Sequence, residues 1–283
     1  MSRHCIVPGP SGAISIGAGQ PLTIIAGPCT LESLELGLRV GAAVRDRCAN
    51  LGLGDIFKAS FDKANRTSAG SGRGPGMEQG LEWLAQVRES LAVPVTTDIH
   101  LPEQAMFAAS IADMLQIPAF LCRQSDLLTA AAEAARARDG AMNIKKGQFL
   151  SPGEMAGPVR KCADAGFENL LLTERGTFFG YHRLVNDFIG LGDLMELQVR
   201  GGSPPVCFDI THSTQLPGAA SQSGGRPERA GLLGRAATAA GAHALFLEVH
   251  PDPSHAVSDG ATQLRIPAAL ELLESVARLR SAM

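Results

Sequence analysis

Eight short runs of apolar and β-branched residues, each followed by a longer stretch with apolar residues at helical spacing, predict an α/β chain folded as a (β/α)8 TIM barrel. The runs are too short and too uniformly apolar to face water on either side, as in a parallel sheet covered by helices. At 283 residues and 45% apolar content, the chain has the size of such a barrel, which takes about 250 residues. A doubly wound open sheet is the alternative, but no GxGxxG follows the first run. Gly17-Ala18-Gly19 precedes it, the wrong place for a dinucleotide fingerprint.

In chain order, Ile24-Ile25 centres a strand over 22–26 and Ile56-Phe57 one over 56–60, while Val93, Val95 and two threonines mark 93–98. Met114-Leu115, Met142 with Ile144, and Leu170-Leu171-Leu172 mark 113–117, 141–145 and 169–173; Val206 with Phe208 and Leu245-Phe246-Leu247 mark 205–209 and 243–248. Helical spacing places helices over 31–48, 76–90, 102–110, 124–138, 152–165, 183–198, 226–240 and 263–280. Pro152 follows Ser151, where a first helical turn tolerates proline. Ahead of the barrel, 5–7 and 14–16 flank Pro8-Gly9-Pro10-Ser11-Gly12 and predict a hairpin within 1–20 that caps the N-terminal mouth. Without a linker or internal repeat, residues 1–283 read as one barrel domain.

A net charge of −3 gives no basic field for a nucleic-acid backbone. No apolar run reaches 18 residues, and residues 1–20 lack the apolar core of a signal peptide, so neither membrane nor export is expected and the address reads as cytoplasmic. The six cysteines are scattered without CxxC spacing and read as free thiols.

Only five of the 25 basic residues are lysine, and four of those, Lys58, Lys63, Lys145 and Lys146, fall at expected C-terminal strand ends. Barrels place their chemistry at that face. Ser60, Asn65, Arg66 and Thr67 follow the second strand; Asp98, Gln116 with Arg123, and Arg175 follow the third, fourth and sixth. Converging cations suit an anionic substrate, and their number suits two anionic groups better than one. The opposite strand ends carry Asp55, Asp113 and Glu168 instead, which argues against indiscriminate loop charge.

A second constellation joins the first, seventh and eighth units: Cys29, His212, Glu248 and Asp259. Thiolate, imidazole and two carboxylates form a possible site for zinc, iron or manganese. From the residues alone, Cys29 as a small buried hydrophobe and His250 or His255 in place of His212 remain open. No GxSxG or GxxxxGK[ST] is present, and the glycine-rich 70–76 segment reads as a loop over the site or an ordinary surface loop.

The run KASFDKANR at 58–66, with RGPG at 73–76, TDIH at 97–100, QIPAFL at 116–121, NIKKGQF at 143–149, FDITH at 208–212 and HPDP at 250–253, resembles the 3-deoxy-D-manno-octulosonate 8-phosphate synthase family from about residue 24 to about residue 273. The resemblance implies a barrel, usually a homotetramer, that condenses phosphoenolpyruvate with D-arabinose 5-phosphate and water for lipopolysaccharide inner-core synthesis. It assigns Lys58, Ser60, Lys63, Gln116, Lys145 and Arg175 to phosphoenolpyruvate, with His212 near its phosphate. Asn65, Arg66 and Thr67 go to arabinose 5-phosphate, with Arg123 reaching from a neighbouring subunit. Lys63 is the implied proton donor to the developing alkoxide, and Asp98 orients water or sugar. Cysteine at position 29, with Ser258-Asp259-Gly260 and Gln263-Leu264 downstream, is similar to the metal-dependent branch, whose divalent ion is held by the counterparts of Cys29, His212, Glu248 and Asp259. The sister 3-deoxy-D-arabino-heptulosonate 7-phosphate synthases read KPRT where this chain reads KANR.

Overall fold

The computed structural model describes residues 3–62, 74–217 and 224–283. Eight parallel strands close on themselves: β3 (Thr23–Gly27), β4 (Gly54–Lys58), β5 (Val95–Asp98), β6 (Met114–Ile117), β7 (Ala141–Lys145), β8 (Leu170–Glu174), β9 (Val206–Asp209) and β12 (Ala244–His250). They pair in that order, and β12 pairs with both β9 and β3, so the sheet is a barrel and not an open fan. Helices α1 (Leu34–Leu51), α2 (Met77–Leu91), α3 (Ala105–Ala109), α4 (Ser125–Ala137), α5 (Ala156–Asp164), α6 (Phe188–Met195), α7 (Ala230–Ala239) and α8 (Ile266–Ser281) follow the successive strands. A two-residue ribbon, β10 (Gln215–Leu216) with β11 (Gly224–Gly225), decorates the loop after β9, and β13 (Leu264–Arg265) extends the sheet beside β12.

Alternation along each strand divides the molecule into two cores. Ile24, Phe57, Val95, Leu115, Leu172, Val206 and Leu245 point outward and pack under the helices. Ile25, Ile56, Met114, Ala141, Leu171, Cys207, Ala244 and Phe246 point inward. The expected hairpin forms from β1 (Cys5–Val7) and β2 (Ile14–Ile16). It seals the N-terminal mouth: Cys5, Val7 and Ile16 join the inner cluster, and Asn169 Oδ1 accepts the Ile6 amide at 2.8 Å. All six cysteines are buried and none is in a disulfide.

Boundaries shift where local bonding overrides apolar spacing. The second barrel strand ends at Lys58, because Ser60 turns to bridge Thr30. Helix α6 is half the expected length. The Asp187 side chain accepts the Ile189 and Gly190 amides and starts the helix there, and Val185 is spent on a bridge to Thr177. The turn at 102–104 and the turn at 152–155 are 3-10, and Ser151 and Glu154 cap the latter reciprocally.

Asp55 on β4 lies near Cys48 and Arg45 of α1, and its Oδ1 has no hydrogen-bond partner among the described residues. Burial raises its carboxyl from 3.8 to about 7, against the pull of Arg45. A raised carboxyl favours the protonated fold, so this stability is present below about pH 4 and is lost as pH rises through about 7. Asp55→Asn is therefore expected to match the parent in urea denaturation at pH 4 and to exceed it by about 4 kcal/mol at pH 8. Equal stabilities of the two chains at pH 8 would refute the assignment.

Candidate active site

The C-terminal mouth holds a cavity of about 350 Å³. Its wall includes Lys58, Asp98, Gln116, Phe120, Lys145, Arg175, Phe178, His212, Gln215 and Asp259. Two lysine ammonium groups enter this wall from the barrel interior, each against a buried carboxylate: Lys58 Nζ lies 2.8 Å from Glu248 Oε1, and Lys145 Nζ 2.6 Å from Asp209 Oδ2. Both also stand over the Phe246 ring, Lys145 at 3.3 Å from its centroid. Burial pushes Lys145 below the ordinary lysine value, opposed by Asp209 and reinforced by Lys58. Arg175 donates to Gln215 Oε1 at 2.8 Å, while its buried Nη1 has no partner among the described residues. The wall thus presents positive charge and an unused donor to whatever enters.

Asp209 is a junction that composition could not reveal. Besides Lys145, it accepts the Thr211 and His212 amides and lies 2.8 Å from His212 Nδ1. Burial alone would raise this carboxyl, but His212 and Lys145 outweigh it and hold it well below the usual carboxylate range. With Nδ1 engaged, His212 turns Nε2 toward Glu248 Oε2, 3.8 Å away.

Cys29 reaches the mouth because Gly27 lets β3 lie tightly on β4; a Cβ at Gly27 would sit 2.0 Å from the Lys58 carbonyl oxygen. The Cys29 carbonyl accepts the Ser60 amide and the Lys58 ammonium, and Gln263 Oε1 accepts the Cys29 amide. Gln263 also donates to Ser258 O, tying Cys29 to the loop of Asp259. The Asp259 backbone is left-handed, φ 50°, and its Oδ2 lies 3.2 Å from Cys29 Sγ.

Ligand atoms of Cys29, Glu248 and Asp259 all fall within 4.8 Å of one another. His212 adjoins that group through Glu248. Ligands of one tetrahedral ion stand roughly 3.3–3.8 Å apart, so the 3.2 Å and 3.8 Å pairs have suitable spacing. A mixed thiol, imidazole and carboxylate set suits a divalent transition metal, and a carboxylate behind the histidine is the usual support for such a ligand. Neither His212 nor its alternatives His250 and His255 belongs to the group of three found among the described residues. His255 is exposed and bonded to Asp252, while His250 Nδ1 accepts the Asp252 amide and its Nε2 faces Glu32.

Among the other expected site residues, Ser60 is buried and donates to Asp98 Oδ1 behind the wall. Asp98 also lies 3.1 Å from His100 Nε2. Arg123 is exposed, away from the cavity lining, with its carbonyl held by Lys161 Nζ at 2.6 Å. Lys146 corrects the expectation of four rim lysines. It turns aside to Glu174, Thr177 and the carbonyls of Gly147 and Leu150, because the strand ends at Lys145 and alternation sends the next side chain outward. Lys63, Asn65, Arg66 and Thr67, with 70–73 of the glycine-rich loop, lie outside the described residues. Sequence reading gave no role to Asp209, Phe246 or Gln215, and Gln263 entered it only through the resemblance to the metal-dependent branch. Only Asp209 carried a signal, as a charged residue ending an apolar strand.

The profile of the DAHP synthetase I family matches residues 6–283. The 2-dehydro-3-deoxyphosphooctonate aldolase of Desulfotalea psychrophila is 48% identical over 276 residues, covering 97% of this chain and 95% of that protein. The protein of the same name from Geobacter sp. strain M21 is 48% identical over 280 residues, 98% of each chain, and that of Nitratidesulfovibrio vulgaris strain DP4 is 49% identical over 257 residues, 89% of this chain and 91% of that one. A closed barrel with a cation-lined mouth and near-complete matches of this kind agree, and the chain belongs to the DAHP synthetase I family and, within it, to the 2-dehydro-3-deoxyphosphooctonate aldolases.

Proposed function

We infer that the chain condenses phosphoenolpyruvate with D-arabinose 5-phosphate and water, giving 3-deoxy-D-manno-octulosonate 8-phosphate and phosphate for the lipopolysaccharide inner core. The observation that carries this reading is the cation-lined cavity in a chain 48% identical to the named aldolases. Carbon 3 of phosphoenolpyruvate attacks the sugar aldehyde, water adds at carbon 2, and the hemiketal phosphate collapses by carbon–oxygen cleavage. Both substrates are anions. Lys58, Lys145 and Arg175 offset their repulsion and hold the enol ester, which supplies proximity and electrostatic preorganisation. Gln116 adds a neutral donor, and Ser60, through Asp98, stiffens the wall. Lys63 delivers the proton to the developing alkoxide; Asn65, Arg66 and Thr67 take the sugar phosphate, and Arg123 reaches that of a neighbouring subunit.

Cys29, His212, Glu248 and Asp259 would hold a divalent ion of zinc, iron or manganese, which supplies Lewis acidity toward a carbonyl or water oxygen. The clustering of three of these ligand atoms within 4.8 Å supports the metal-dependent reading. Exposed Phe120 at the cavity wall, with exposed Phe179 and Tyr181 in the segment after β8, supports assembly with other subunits; the assembly proposed is a homotetramer, and residues 1–283 act as one barrel domain. No described helix is long and apolar enough to cross a membrane, which accords with a cytoplasmic enzyme; a charge of −3 accords with small-molecule partners and no nucleic acid.

Phosphate release is expected to require both phosphoenolpyruvate and arabinose 5-phosphate. Release with erythrose 4-phosphate in its place would reassign the chain to the sister activity. Exhaustive chelation is expected to abolish turnover and a divalent ion to restore it, while Cys29→Ala lowers bound metal below one per chain by elemental analysis. Full activity of a verified metal-free protein overturns the metal reading. Asp209→Asn is expected to weaken divalent-ion affinity by about 10–100-fold, because His212 loses the partner that orients it. Titration of the stripped protein measures this, and unchanged affinity would refute the role of Asp209.

A further inference from the structure

Behind the cavity wall, four inward side chains lie side by side on consecutive strands: Gln116 on β6, Asn143 on β7, Thr173 on β8 and Cys207 on β9. Gln116 is register-paired with Asn143, and Thr173 with Cys207. All four are buried, and only Gln116 reaches the cavity. Thr173 Oγ1 donates to Asn143 Oδ1 at 2.6 Å, and Asn143 Nδ2 donates to Gln116 Oε1 at 3.3 Å. Cys207 is the register neighbour of Thr173 on the far side of this line.

Such a line has a direction. Burial, with Asp209 nearby, pushes the Cys207 thiol far above its ordinary value, so it stays protonated and offers Thr173 no strong acceptor. The Thr173 hydroxyl, with no strong acceptor on that side, gives its single proton to Asn143. The asparagine carbonyl is then occupied, its amide N–H faces Gln116, and the glutamine carbonyl is occupied in turn. What remains for the cavity is the Gln116 Nε2 group with its protons.

We infer that Thr173 and Asn143 are positioning residues that lock Gln116 with its amide N–H, and not its carbonyl, toward the anionic substrate. The inference rests on phosphoenolpyruvate being that substrate. A reversed amide would aim a carbonyl dipole at a carboxylate or phosphate, turning an attraction into a repulsion inside a poorly hydrated cavity.

Thr173→Val keeps the volume and removes the hydroxyl proton, whereas Thr173→Ser keeps the proton. Steady-state kinetics are expected to show KM for phosphoenolpyruvate raised about tenfold in Thr173→Val and restored to within about twofold in Thr173→Ser, with kcat and KM for arabinose 5-phosphate nearly unchanged. Gln116→Glu, which puts a carboxylate where the N–H group stands, raises the same KM at least as far. A Thr173→Val protein that melts lower but keeps its KM overturns the inference, reducing the line to packing. An unchanged KM in Gln116→Glu overturns it as well, and that variant decides the matter if Thr173→Val does not fold. Should the parent chain release no phosphate at all, the proposed reaction fails independently. The lock is then read from the melting shift caused by phosphoenolpyruvate, which Thr173→Val should lose and Thr173→Ser should keep; a shift equal in all three overturns it.

Discussion

A lysine ammonium inside a barrel stays charged only beside a carboxylate, because the cost of removing an ion from water is several kcal/mol unless a partner offsets it. Lys58 and Lys145 are 1% and 5% exposed, and the mouth is organised around the carboxylates that answer them, Glu248 and Asp209. These pairs do little for stability compared with a well-packed apolar core. Their value is positional: each holds a cation at the cavity wall in a fixed place before substrate arrives, so little reorganisation is left for the reaction.

The two carboxylates also connect the cation wall to the candidate metal group. Glu248 uses Oε1 for Lys58 and turns Oε2 toward His212, while Asp209 uses Oδ2 for both Lys145 and His212 Nδ1. The Thr211 hydroxyl accepts the Glu248 amide at 2.7 Å, fixing β12 against the turn that carries His212. A change at any one of these residues therefore reaches both halves of the site, and effects of substitutions there should not add.

Much of this was legible in the chain. Short apolar runs separated by helical spacing located all eight barrel strands, since a strand buried on both faces is filled mainly by apolar and β-branched residues. The KASFDKANR run and the scattered Cys29, His212, Glu248 and Asp259 pointed to the mouth because side chains at strand C-terminal ends meet once the sheet closes. Where apolar spacing misjudged an element, as in α6, a capping aspartate or a local bridge had taken the backbone bonds first.

By itself the sequence determined where the barrel strands lie and which end of the barrel holds the charge, because apolar runs and the charges that follow them are local properties. It could not determine which inward charges meet. Lys145 and Lys146 are adjacent and chemically identical, yet one faces Asp209 in the cavity wall and the other is sealed among carbonyls beside Glu174. That difference of one position is set by where β7 ends. Likewise, Asp209 became a junction, and Thr173, Asn143 and Gln116 a directed line, only through the shear of the closed sheet, which brings residues 27 to 64 positions apart within hydrogen-bond distance.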